Sequence, residues 1–140
     1  MDNNRALNYL ALGKKGRLIE LGEEPVGAVA RAVKARLVVV ASDASDHTWR
    51  RAKSFVAGTE QQCIRVPFTK EELGFVVGRQ SLAIAAFTDA ALALAFVKAL
   101  PNAEKFAEVA EKLDIKAQKL RQRKDEATAH QRNIRTGKKK

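Results

Sequence analysis

The stretch Lys34-Ala35-Arg36-Leu37-Val38-Val39-Val40-Ala41-Ser42-Asp43-Ala44-Ser45 settles the architecture. Leu37 to Val40 are four successive bulky aliphatic residues without alternation, and Ser42-Asp43 stops them with turn-forming side chains. A β-branched run of this length reads as a strand over 36–41 that is covered on both faces. Helices on both sides of a sheet give that cover, so the remaining chain should alternate strands with amphipathic helices.

The expected strands are Cys63-Ile64-Arg65-Val66, ending at Pro67; Ser81-Leu82-Ala83-Ile84-Ala85-Ala86-Phe87, ending at Thr88-Asp89; and Arg17-Leu18-Ile19-Glu20-Leu21 between two glycines. Helices are expected over 4–15, with Leu7, Leu10 and Ala11 on one side, and over 24–34, where Glu24 and Pro25 suit a first turn. Ser45 or Asp46 can cap a third helix that runs through Ala57 and stops at Gly58. Thr69-Lys70-Glu71-Glu72 has capping-box spacing ahead of Leu73, Val76 and Val77. Thr88 or Asp89 caps a fifth helix carrying Leu92, Leu94, Phe96 and Val97. The fold class is therefore α/β: an α/β/α sandwich around a small sheet.

The chain has 140 residues, enough for one core without a disulfide or metal. With 46% apolar and 30% charged residues and a mean hydropathy of −0.29, it reads as soluble rather than disordered or membrane-embedded. The weakly polar run 81–97 is short and broken by Thr88-Asp89, so no membrane partner is expected. Met1-Asp2-Asn3-Asn4-Arg5 lacks a signal-peptide layout, and a cytoplasmic location is the expectation.

Catalytic constellations are sparse. His47 and His130 have no Cys or His at ligand spacing, and the lone Cys63 reads as a small buried hydrophobe, so neither a metal nor a cofactor is expected. Gly13-Lys14-Lys15-Gly16 does not keep phosphate-loop spacing. Gly74 and Gly78 read as a close-packing position and a helix end, and Asp43, Asp46 and Asp89 as turn or cap residues. No enzyme is expected.

Charge carries the functional signal. Twenty-six Lys and Arg against sixteen Asp and Glu give +10, which favours association with polyanions, nucleic acid first. Residues 1–100 hold fourteen basic and ten acidic side chains, whereas 101–140 hold twelve and six. With Pro101-Asn102 at the shift, the reading is a body over 1–100 and a basic helical tail over 101–140. Phe106, Val109, Leu113, Ala117 and Leu120 recur at helical spacing, and Lys116, Lys119, Arg121, Arg123 and Lys124 crowd the opposite side. A helix over about 103–129 follows, with 131–140 disordered. Its stripe either docks on a protein partner or folds back on the body.

Three segments in order, Gly22-Glu23-Glu24-Pro25-Val26, the opening stretch 34–45, and Val66-Pro67-Phe68-Thr69-Lys70-Glu71-Glu72-Leu73-Gly74-Phe75-Val76-Val77-Gly78, resemble the ribosomal L-seven-Ae/L-thirty-e family. The likeness covers about 5–98 and is closest to that family's small bacterial ribosome-associated members. It implies a three-layer α/β/α sandwich with a four-stranded mixed sheet, and binding of structured RNA, often a kink-turn, ribosomal or precursor in origin, by a ribosome-associated protein. The family elements fall on Gly22, Glu23 and Glu24 with the helix after them, and on the loop Arg79-Gln80-Ser81. Lys14, Lys15, Arg17, Arg31 and Lys34 would add phosphate contacts. Kink-turn binders carry an asparagine and a lysine where this chain has Glu24 and Gly27-Ala28, which implies weaker kink-turn discrimination. The competing function class is a protein-interaction module attached to the ribosome through the tail helix.

Overall fold

The computed structural model describes residues 3–135, with side chains from Arg5 to Gln131. Six α-helices alternate with four strands: α1 Asn3–Lys15, β1 Ile19–Leu21, α2 Glu23–Arg31, β2 Leu37–Val40, α3 Asp46–Val56, β3 Gln62–Arg65, α4 Lys70–Val76, β4 Ile84–Phe87, α5 Ala90–Lys98 and α6 Ala107–Arg135. The sheet order is β1-β4-β2-β3; β4 runs antiparallel to both neighbours and β2 parallel to β3. The sheet is mixed and four-stranded, as the sequence predicts. The α2–α3 pair packs as one helical layer and α1, α4 and α5 as the other, with α6 against α5.

The local chemistry sets most boundaries. Leu37 to Val40 and Ile84 to Phe87 are buried at every position, as two central strands under helices on both faces require. Ser45 Oγ accepts from Thr48 N at the start of α3, and Asp89 Oδ2 accepts from Leu92 N at the start of α5. Thr69 and Glu72 form the reciprocal capping box on α4. Asp43 Oδ1 accepts from Lys70 N at 2.8 Å and so ties the turn after β2 to the start of α4. Gln61 is a buried polar residue that the sequence does not flag. Its Oε1 accepts from Ala35 N, and its Nε2 donates to Ala30 O and Thr59 Oγ1, which joins the end of α2 to the entry of β2.

Several boundaries differ from the sequence expectation, each for a backbone reason. Helix α2 stops at Arg31 rather than Lys34, because Val33 turns left-handed at φ 57°. Val33 N then donates to Ala30 O and Lys34 N to Val29 O, which closes the helix in a Schellman motif. The end of α1 repeats this with Arg17 at φ 59°, so β1 starts at Ile19 and not at 17. Strand β4 starts at Ile84 rather than at 81: Leu82 N donates to Lys70 O, and residues 79–81 fold over Gly74.

The tail begins with a 3-10 turn, Ala103–Phe106, before α6. Helix α6 continues to Arg135, six residues past the expected end, since no Gly or Pro interrupts it before Gly137. The expected disorder is thus corrected to helix over 131–135, and its remainder, 136–140, lies outside the described residues. Phe106, Leu113 and Ala117 are buried, and Phe106 and Leu113 belong to the same apolar cluster as the sheet. The stripe therefore folds back on the body. No helix among the described residues is long and apolar enough to cross a membrane.

Candidate nucleic-acid interface

The start of α2 is shaped by Gly22. Its φ of 97° lies where side-chain-bearing residues are strained, and its N–H donates to Ile84 O, which fixes the turn to β4. Gly22 has no side chain to cap the helix, so the first-turn N–H groups of α2 have no such partner. A Cβ placed on Gly22 would stand 3.7 Å from Arg79 Nη1, so a guanidinium lies beside this helix terminus.

Arg79 is held there by the end of α4. Gly78 adopts φ 77°, Gly78 N donates to Phe75 O and Arg79 N to Gly74 O, a third Schellman motif with glycine in the left-handed place. Residues 79–81 then cross directly over Gly74, where a Cβ would meet Arg79 O and Ser81 Cα at 2.8 Å. Gly74 and Gly78 thus serve close packing and the helix end, as the sequence suggests. Arg79, Gln80 and Ser81 are all exposed. Phe75, one turn earlier, is 83% exposed, the largest exposure among the large apolar side chains described. Neither composition nor periodicity singles it out, because its position in a short helix gives no cue to its direction.

The acidic residues divide. Glu23 Oε2 stands 3.4 Å from Arg51 Nε, whose guanidinium also lies 5.2 Å from the Phe55 ring centroid. Glu24 is exposed. Arg51 is a site residue that the sequence does not reveal, since its partner is on another helix. The carboxylate of Glu23 is thereby partly neutralised at a helix start that otherwise attracts anions.

The other basic residues do not form one face. Lys14 Nζ donates to Val77 O at 3.0 Å, so it tethers α1 to the end of α4. Lys14 and Lys15 flank Val76, Val77 and Gly78 and thus border the Arg79 turn. Arg17 is exposed beyond the opposite end of β1 from Gly22. Arg31 ends α2 with its guanidinium folded back towards Gly27, and Lys34 follows the helix at the far end of the sheet. The structure brings together Gly22, Glu23, Glu24 and Arg79 with its loop neighbours Gln80 and Ser81, adds Arg51 through Glu23, and separates Arg17 and Lys34 from them, while Phe75 stands exposed on α4 one turn before Arg79.

Among the described residues, no group of three or more His, Cys, Asp or Glu could hold a metal ion. Cys63, expected to be buried, is half-buried against the core; desolvation pushes its thiol up to about 12, with the nearby Lys53 charge pulling the other way. The arrangement offers hydrogen-bond donors, cations and one exposed aromatic ring, which is equipment for binding.

No protein-family model and no curated protein matches the chain by sequence. Its fold is shared with solved structures. One is a protein of unknown function from Bacillus halodurans, with a TM-score of 0.63 and 22% identity, covering 68% of this chain and 95% of that one. Another is a 15.5 kD RNA-binding protein from Giardia lamblia, with a TM-score of 0.59 and 17% identity, covering 76% of this chain and 90% of that one. At these identities the likeness is one of fold.

Proposed function

We propose that the chain binds structured RNA through the Gly22–Arg79 end of the sheet, acts as a binder and not as an enzyme, and does so on ribosomal or precursor RNA in the cytoplasm. The observation that carries the reading is the Arg79 guanidinium set beside the uncapped N-terminus of α2. Two features there attract phosphate, a helix terminus and a cation. The exposed Phe75 ring, on α4 one turn before Arg79, offers a base a stacking surface. Glu24 accepts from a base N–H, the contact that a carboxylate makes to a cytosine amino group. The RNA-binding Giardia relative of the same fold and the resemblance to the L-seven-Ae/L-thirty-e family support the assignment.

Kink-turn preference is weaker here than in that family, because Glu24 and Ala28 replace the amide and the lysine. Glu24→Asn combined with Ala28→Lys should raise the preference for a kink-turn hairpin over a plain duplex in a filter-binding titration. The site itself is tested by Phe75→Ala and Arg79→Gln. Both side chains are exposed, so melting temperature should stay unchanged, whereas hairpin affinity should fall by about fivefold to a hundredfold for the loss of one stacked base. Unchanged affinity in both variants would remove this end of the molecule from the interface.

A further inference from the structure

At the opposite end of the sheet, α6 crosses the entries of β2 and β3 and leaves a groove of about 660 Å³, within the range of small-ligand sites. Its floor is Leu113, 2% exposed, and its walls include Val33 and Ile115, 53% and 49% exposed. Four cations line it, Arg36, Lys112, Lys116 and Lys119, against a single carboxylate, Glu60. We propose that this groove binds an acidic peptide segment of a partner protein, with an aliphatic side chain seated between Val33 and Ile115 and its carboxylates on the four cations.

Several observations favour that occupant. Glu60 already places a carboxylate 3.9 Å from Lys116 Nζ while 92% exposed, a loose solvent-borne pair that a ligand carboxylate can displace. Arg36 Nε is buried with no acceptor, so the guanidinium beside the groove is under-satisfied. Val33 keeps a β-branched, half-exposed side chain at a left-handed φ where glycine would cost less, and that side chain forms a groove wall. The lining contains no aromatic ring for a nucleotide base to stack on, which separates the groove from the Phe75 end. Gln62, at the groove, begins edge strand β3, whose outer side can pair with extended backbone.

The inference stands apart from the RNA reading, and its test uses the full chain. An eight-residue peptide of aspartates and glutamates with two central leucines is titrated while the Val33 and Ile115 methyl resonances are followed. Those methyls should shift, and a control with serines for the leucines should bind at least about tenfold more weakly. Lys116→Glu with Lys119→Glu should abolish the shifts of Ile115, and Val33→Gly should keep the fold and weaken the peptide. Phe75→Ala should leave peptide binding unchanged. Equal binding of the serine control, displacement by an eight-nucleotide uridine oligomer, or unshifted methyls at millimolar peptide would each overturn the proposal.

Discussion

Val33 and Arg17 hold left-handed backbone at the ends of α2 and α1, where Gly78 does the same for α4. For a β-branched residue this conformation costs about 1–2 kcal/mol. Val33→Gly should therefore stabilise the protein by about 1 kcal/mol and raise the melting temperature by about 3–5 °C, measured by calorimetry. The sequence marks the end of α4 because glycine stands at the left-handed position. It is silent at Val33, where Ala-Val-Lys-Ala contains no breaker and the helix reads as continuing to Lys34. Cys63 gives a second check. Its raised pKa keeps the thiol protonated at neutral pH, and the thiolate is the reactive form. Alkylation of the folded protein should stay slow at pH 8 and keep accelerating past pH 10, where an ordinary thiol has levelled off; rapid modification at pH 8 would contradict the raised pKa.

Helix α6 combines two different stretches. Up to Leu120 it places Leu113 and Ala117 against the body, continuing the contact that Phe106 makes from the 3-10 turn before it, while every described residue from Arg121 to Gln131 is exposed. Truncation after Leu120 should leave the melting temperature nearly unchanged. Truncation after Leu100 removes Phe106 and Leu113 from the apolar cluster and should lower it strongly, and Leu113→Ala alone should cost about 2–4 kcal/mol. Circular-dichroism melts of the three variants decide this. The stripe was readable from its spacing, but its destination was not, because a stripe specifies that something covers it and not what. Likewise β2 was readable from four consecutive aliphatics, whereas the start of β4 was hidden. Ser81-Leu82-Ala83 is as apolar as the strand it precedes, and the fold of 79–81 over Gly74 leaves no local trace.

In the whole molecule the sheet separates two ends of unlike chemistry. One sets Arg79 beside Gly22, with Phe75 exposed one turn earlier on α4; the other gathers Arg36, Lys112, Lys116 and Lys119 around aliphatic walls. The sequence puts Lys34 at the end of the expected helix that starts beside Gly22, and proximity along the chain does not show that the two stand at opposite ends of the sheet. It also missed Arg51, whose partner Glu23 is distant in the chain. Binding of a structured RNA hairpin should weaken linearly on a log–log plot of affinity against salt, by about 0.7–0.9 per phosphate contacted. Where that RNA sits is read by amide hydrogen exchange of the full chain with and without the hairpin. Protection is expected at 22–26 and 79–82 with exchange at 112–119 unchanged; protection confined to α6, or none anywhere at saturating RNA, would remove the Gly22–Arg79 end from the RNA interface.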